Sequence, residues 1–359
     1  MMHEQWLLAA LEEAWLGRGR CAPNPSVGAL LVFEGAVLGK AWHQGAGTPH
    51  AERLVLEGVS SQVARGATLY VTLEPCNHWG KTPPCVEYIV QKGIKTVVYA
   101  YRDPNPVVSA NDTPQLLRDQ GIDVLHYPLP EIDAFYQSYT HWLKTNTPWV
   151  TVKLAQSLDG KIAGASGARV PLSNDACAVF THQQRLRTDV ILTTARTVHQ
   201  DDPQLNARID GILTPKPLAI LDTKGTLSPH AQVFQTALHC HIFHEAGRWI
   251  EKQTERCTYY PITLTKNGLL DLSEVIAHLG QLGYHDVWVE AGGCLFTALH
   301  QEKRVQKTYL YLTPTVLGDN ALSAYHDAAL FQGASVTWHP MRNNCMASLD
   351  WMESSCSPV

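Results

Sequence analysis

Three residues able to bind a transition metal stand between positions 50 and 85, with a strand-like run between the first and the other two. They are His50 in HAE, then ATLYVTL, then Cys76 and Cys85 at the two ends of CNHWGKTPPC. A chain that brings these groups to one point must place a helix start, a strand end and the turn after it around that point. One imidazole nitrogen and two thiolates fill three positions of a tetrahedral zinc ion and leave the fourth for water, which is the pattern of a catalytic metal. Glu52, two residues after the histidine, is placed to reach such a water without being a ligand itself. Zinc lowers the pKa of bound water to about 7, and a neighbouring carboxylate can pass the proton to a ring nitrogen and a departing amine.

A lone H-x-E is ordinarily a helix start, and a lone cysteine is ordinarily a small buried hydrophobe. In this order, with each cysteine introduced by proline, the set resembles the zinc-dependent nucleobase deaminases. One departure stands out: their P-C-x-x-C is stretched here, with eight residues between Cys76 and Cys85. The longer string EPCNHWGKTPPC, preceded by APNPSVG at 22–28 and followed by DPNP at 103–106, resembles the riboflavin-pathway deaminases, where the longer spacing is the rule. The resemblance continues through SLDGKIA at 157–163, DDPQLNAR at 201–208 and VEAGG at 289–293, and so covers nearly the whole chain. It is a resemblance to the bifunctional members, which join a deaminase to a reductase.

A chain of 359 residues, 45% of them hydrophobic, is long enough for two domains with a core each. A net charge of −5 without basic runs argues against nucleic acid as a partner. The N-terminus, MMHEQWLLAALEEAWLGRGR, has helical spacing and lacks the basic start and unbroken apolar core of a signal peptide. No apolar stretch approaches a membrane-spanning length. Nine cysteines at irregular spacing fit reduced thiols. We therefore expect a cytoplasmic enzyme with no membrane partner; separately from these features, a homo-oligomer, specifically a dimer, is expected.

Alternating patterns predict helices over 3–17, 51–58, 84–92 and 114–121 and strands over 28–33, 36–42, 68–72, 96–101 and 123–126. A further helix within 129–147 ends in a polar break, which places the domain boundary near Asn146, between domains 1–146 and 147–359. Pro49 and Pro75 are each expected to start a helix beside a ligand, so that helix dipoles favour thiolate at Cys76 and Cys85. The second half predicts strands from 149 and over 189–193, 218–221, 240–243, 286–290 and 307–312, a helix from about Cys294, and one or two strands in the tail after 335. No G-x-G-x-x-G follows any of these strands. The fold class is α/β. The resemblance implies an N-terminal cytidine-deaminase-like αβα domain and a C-terminal dihydrofolate-reductase-like α/β domain.

Further site residues follow from the residues and the resemblance together. Asn24 offers donor and acceptor to a pyrimidine edge, and His78 and Lys81 lie in the insertion between the cysteines. The family usually has Arg where Lys81 stands, so the bidentate fork is lost. His43 reads as a hydrogen-bonded core residue. Ala110 and Asp112 stand where the family has a glycine-rich loop, so that loop's backbone is expected to differ. In the second half the resemblance assigns Ala155, Thr197, Asp201, Ala291, Gly292 and Gly293 to NADPH, and Arg185, Leu205, Arg208 and Glu290 to substrate. Gly292 and Gly293 let backbone approach a ligand, and the guanidinium forks of Arg185 and Arg208 suit a ribose 5-phosphate. Asp201 is the expected catalytic residue there, holding a proton donor or water.

The resemblance thus implies zinc and NADPH as cofactors and a pyrimidine ribose phosphate as substrate. The first half would hydrolyse the 2-amino group of 2,5-diamino-6-ribosylamino-4(3H)-pyrimidinone 5′-phosphate, and the second would reduce the ribosyl chain to ribityl. Arg169, Pro171 and Ala178 depart from the family's Ser, Trp and Arg, which leaves open a deaminase whose second half is impaired or structural. A non-catalytic zinc-stabilised binding protein is the alternative from another class. Glu52 argues against it, because a structural site is closed by a fourth ligand.

Overall fold

The computed structural model describes residues 2–79, 83–250, 254–325, 327 and 329–351. The chain divides into two compact units, Met1–Asn146 and Thr147–Val359. The first runs α1 (Met2–Gly17), β1 (Gly28–Phe33), β2 (Ala36–Trp42), α2 (Ala51–Glu57), α3 (Ser61–Ala64), β3 (Thr68–Leu73), α4 (Cys85–Lys92) and β4 (Thr96–Tyr101). It continues through α5 (Pro106–Ser109), α6 (Thr113–Asp119), β5 (Asp123–His126) and α7 (Pro130–Thr145). The strands make one sheet in the order β2-β1-β3-β4-β5, with β3, β4 and β5 parallel and β1 antiparallel to both its neighbours.

Strand β1 is apolar almost throughout because both its faces are covered. Ala29 and Leu31 pack with Val55 and Leu56 of α2, Ile89 of α4 and Leu117 of α6. Leu30 and Val32 pack with Leu7 and Ala10 of α1 and with Phe135 and Tyr136 of α7. Period-two alternation therefore feeds two cores and gives an αβα layering. Gly28 is required where α1 crosses the sheet, since a Cβ there would lie 1.9 Å from the Ala10 carbonyl oxygen. Asn146 ends α7 in the left-handed region at φ 54, a conformation asparagine adopts more readily than most residues.

One expectation fails here: Cys76 does not begin a helix. At residue 74 the chain still follows the sheet, with Glu74 N–H donating to the Tyr101 carbonyl, and the Cys76 carbonyl accepts from Val86 N–H. The helix starts instead at Cys85, with Pro84 as its N-cap. After DPNP the backbone forms two short helices in place of a loop. Asn105 Oδ1 accepts from Val107 N–H and Asp112 Oδ1 from Gln115 N–H, so Ala110 and Asp112 serve helix ends and need no glycine freedom.

The second unit runs β6 (Trp149–Ser157), β7 (Lys161–Ala165), α8 (Asp175–Arg187), β8 (Val190–Thr194), α9 (Ala195–Asp201), β9 (Ala207–Ile209), β10 (Ile212–Thr214), β11 (Pro217–Leu221) and α10 (Val233–Thr236). Then come β12 (His239–Glu245), β13 (Cys257–Ile262), α11 (Leu272–Gln281), β14 (Asp286–Glu290), α12 (Gly293–Gln301), β15 (Lys307–Thr313), β16 (Ala321–Ser323), β17 (Ser335–Met341) and β18 (Asn344–Asp350). Nine strands form the main sheet, β13-β12-β11-β8-β14-β6-β15-β18-β17, parallel up to β15 and antiparallel beyond it. Strand β13 was not expected; it carries Pro261 and is an edge strand, where proline is tolerated.

The chain moves outward from β8 to β13 and then returns to insert β14 between β8 and β6. Ligands of open parallel sheets bind at the carboxyl ends of the strands where the order reverses, which here are β8, β14 and β6. Val287 and Val289 of β14 face α11 and α12, while Trp288 faces the opposite core with Ile191, Leu218 and Ile220. Helix α12 starts at Gly293, one residue before the expected Cys294, because Gly292 is its N-cap. Among the described residues no helix is long and apolar enough to cross a membrane.

Candidate functional site

In the first unit the strand ends and helix starts converge as the ligand spacing demands. His50 is the N-cap of α2, Cys85 is the first residue of α4, and Cys76 lies in the turn after β3. The ligating atoms of the three lie within 4.8 Å of one another. His50 Nδ1 is 3.2 Å from Cys85 Sγ and 3.3 Å from Cys76 Sγ, against roughly 3.5 Å between N and S ligands on a tetrahedral zinc with bonds of about 2.0 and 2.3 Å. The donor set therefore fits zinc. The Cys85 N–H donates to Cys76 Sγ at 3.3 Å, so the start of α4 favours negative charge on Cys76 although that residue begins no helix of its own. A hydrogen bond from the Cys85 thiol holds Cys76 well below the usual thiol range, and the Cys76 sulfur in turn raises His50.

Beside the ligands lies a cavity of about 230 Å³ whose lining includes Asn24, His43, His50, Glu52, Cys76 and His78. Glu52 is only 4% exposed, and burial pushes its carboxyl up. Lys81 lies outside the described residues. His43 is buried and hydrogen-bonded, as expected, but it also lines the cavity. Its Nδ1 bonds the Pro49 carbonyl at 3.2 Å, which leaves Nε2 to accept from Asn24 Nδ2 at 3.1 Å, and burial lowers its pKa and keeps it neutral. The PNP turn is held from below, where Tyr136 OH donates to the Ser26 carbonyl and Thr72 Oγ1 accepts from Gly28 N–H.

Asp103, Asn105 and Tyr139 also line this cavity, and sequence reasoning passed over all three. The available signal was DPNP itself, two polar side chains in a rigid turn at the end of a buried strand. Asp103 Oδ1 accepts from Asn105 N–H and from Tyr139 OH, yet burial pushes its carboxyl up from 3.8 to about 6. An acid raised on folding stabilises the fold while protonated: the contribution is complete below about pH 4 and is lost as pH rises through about 6. Asp103→Asn is expected to flatten that part of the urea-stability curve by roughly 2–3 kcal/mol. An unaltered slope between pH 4 and 6 would show that Asp103 carries no such shift.

In the second unit the expected residues gather at the carboxyl ends of β6, β8 and β14. Ala155 is on β6, and Thr197 lies in the first turn of α9, its N–H donating to the Thr194 cap. Asp201 is the exposed last residue of that helix. Glu290, Ala291 and Gly292 follow one another out of β14. A Cβ at Gly292 would meet open space, whereas one at Gly293 would lie 2.1 Å from the Ala324 carbonyl oxygen. Gly293 is thus required for packing, and Gly292, the N-cap of α12, is the glycine that faces open space. Helix-start N–H groups above a strand edge suit a dinucleotide phosphate, so the residues present fit NADPH.

The substrate assignments fare differently. Leu205 is buried at 3% exposure with φ 48, so it contributes shape. Arg208 is exposed and donates to Gln204 Oε1 and Asn206 Oδ1. Arg185 and Glu290 form an ion pair with each other. Burial alone would raise Glu290, but Arg185, helped by Lys153 and Trp288, holds it at about 2. Sequence reasoning missed Lys153, whose signal was a lysine inside the apolar strand VTVKLA. Its ammonium lies 5.2 Å from the centre of the Tyr311 ring.

Comparison with known proteins covers both units. The model of the cytidine and deoxycytidylate deaminase zinc-binding region matches residues 1–101, and that of the RibD C-terminal domain matches 148–344. Riboflavin biosynthesis protein RibD of Escherichia coli is 33% identical over 89% of this chain and 90% of its own length. The Bacillus amyloliquefaciens protein of the same name is 34% identical over 88% and 86%. Among solved structures, Acinetobacter baumannii RibD matches with a TM-score of 0.84 at 30% identity, covering 97% of this chain and 98% of that one. A Thermotoga maritima diaminohydroxyphosphoribosylaminopyrimidine deaminase/5-amino-6-(5-phosphoribosylamino)uracil reductase matches with the same score and coverage at 29% identity.

Proposed function

The chain belongs to the RibD family of riboflavin biosynthesis proteins, and from that premise we propose how its residues divide the work between two reactions. It is a bifunctional enzyme, a zinc-dependent deaminase with a cytidine-deaminase-like first domain and an NADPH-dependent reductase with a dihydrofolate-reductase-like second one. The domains are assigned to residues 1–146 and 147–359. The observation that carries the deaminase is the convergence of His50, Cys76 and Cys85 beside buried Glu52 in one cavity.

Zinc supplies a hydroxide-strength nucleophile at neutral pH when bound. His50, Cys76 and Cys85 hold it, and Asn24 and His78 orient the pyrimidine of 2,5-diamino-6-ribosylamino-4(3H)-pyrimidinone 5′-phosphate, with Lys81 assigned to its phosphate. Glu52 would take a proton from the attacking water and give it to the ring nitrogen beside C2, then take the remaining proton of the new C2 hydroxyl and give it to the amine as the C–N bond breaks, leaving a carbonyl at C2 and ammonia. A carboxyl raised by burial suits both acceptance and return of that proton.

In the second domain NADPH supplies hydride. Thr197, Ala155, Ala291 and Gly292 place the cofactor along the strand ends, with Gly293 packed against the Ala324 carbonyl beneath them, and Leu205 shapes the wall against the substrate. Arg185, Arg208 and Glu290 meet the ribose phosphate, and Asp201 holds the proton donor. The sugar opens to an imine, hydride adds to its first carbon and a proton to nitrogen, leaving a ribityl chain. No disulfide joins the described cysteines, which accords with a cytoplasmic enzyme; a homodimer is the assembly we expect.

The test supplies each half separately. The diaminopyrimidine phosphate alone should release ammonia, and deaminated substrate with NADPH should lower NADPH absorbance. Ammonia release without NADPH consumption would leave the second domain structural, the alternative raised by Arg169, Pro171 and Ala178.

A further inference from the structure

Arg185 and Glu290 are both assigned to the substrate, yet the fold gives each to the other. Arg185 Nε donates to Glu290 Oε1 at 2.6 Å and Nη2 to Oε2 at 2.9 Å, a fork-to-fork pair. The remaining guanidinium nitrogen, Nη1, donates to the Asn206 carbonyl at 3.0 Å. Trp288 Nε1 adds a further N–H to Glu290 Oε1 at 2.8 Å. The two side chains are only 12% and 13% exposed, so water screens the pair weakly. An anion that is to be held by Arg185 must first take it from a carboxylate.

The two ends of the pair are anchored unequally. Glu290 is the last residue of β14 and keeps the Trp288 N–H whether or not the arginine stays. Arg185 sits on a long flexible stem in α8, and its Nη1 already points at Asn206, whose side-chain oxygen accepts from Arg208 Nη1 at 2.8 Å. Both guanidinium groups therefore meet at Asn206, and a short swing of Arg185 away from Glu290 would leave two cations facing one site.

We propose that the ion pair of Arg185 with Glu290 is a latch opened by phosphate: the substrate's phosphate draws the guanidinium to the Asn206 side and releases the carboxylate into the cleft. The proposal rests on the reading that Arg185 receives the phosphate. It differs from that reading in the sign of one effect, because Glu290 then competes with the phosphate instead of assisting it. Part of the phosphate's binding energy goes into breaking the pair, which restrains simple phosphates from occupying the site.

The test is calorimetric titration of ribose 5-phosphate into the full chain. Glu290→Gln keeps the side chain's shape and the acceptor for Trp288 but removes the charge. It should bind ribose 5-phosphate about tenfold more tightly than the wild type, the scale of one hydrogen bond to a charged group. Arg185→Ala should lose that binding. Binding by the first domain is common to all variants and cancels in the comparison. Unchanged or weaker binding in Glu290→Gln, with loss in Arg185→Ala, overturns the latch and leaves the phosphate reading standing. Unchanged binding in Arg185→Ala overturns both. Should the glutamine variant not fold, Glu290→Asp, with its carboxylate one methylene further from the guanidinium, should tighten binding to a smaller degree, and an unchanged affinity there would equally reject the latch.

Discussion

Glu52→Gln is expected to cut ammonia release by a factor of about 10²–10⁴, the usual contribution of a positioned acid–base group, while zinc content stays that of the wild type. The substitution conserves volume in a residue that is 4% exposed, so the fold should not change. It removes a carboxyl beside the three metal-binding side chains that can hold a proton and return it. The measurement is steady-state ammonia release on the diaminopyrimidine phosphate, paired with metal analysis of the same sample. A variant that keeps both its zinc and most of its activity would mean that another group carries the proton. Loss of zinc together with activity would instead make Glu52 a ligand or a support of one.

Cys85→Ser should have the larger effect on the metal. A serine hydroxyl is not ionised at neutral pH and is a far poorer partner than thiolate for zinc, so the variant should lose most of its zinc and with it deamination. Cys85 also gives its N–H to Cys76 Sγ and packs in the core with Val55 and Ile89, and the small polar replacement costs that core on the order of 1–2 kcal/mol. With its other core contacts intact the variant should still fold. Consumption of NADPH with deaminated substrate should stay within about twofold of the wild type, since the second domain is a compact unit with its own core. Loss of both activities in a folded variant would contradict the separation of the two sites.

What could be read in the sequence follows a physical division. The cluster of His50, Cys76 and Cys85 was legible because few residue types bind such a metal and the proline-introduced cysteines lie close together in the chain. The sheet of the first domain was legible because β1, β3 and β4 are buried on both faces and are largely apolar. The helix expected at Cys76 was a local inference from Pro75, overridden by the bond that keeps Glu74 in line with the central strand β3. Strand β13 escaped notice; its place at the edge makes Pro261 acceptable.

The site partners that went unseen are those made by distant segments. His43 pairs with Asn24 across the helix and strand starts, and Asp103 meets Tyr139 from another element. Nothing in the local pattern of either segment shows that the Arg185 fork closes on Glu290, a hundred residues further along the chain. Gly293 is a related case: a glycine read as making room for a ligand makes room for the Ala324 carbonyl, and its neighbour Gly292 is the open one.

We propose that one zinc ion, held by His50, Cys76 and Cys85, is required for deamination. Metal analysis of the purified full chain before and after chelation, with ammonia release measured on each sample, tests it most directly. We predict about one zinc per chain, activity lost in step with the metal, and activity regained when zinc is returned. Metal-free protein that deaminates at the full rate would contradict the account.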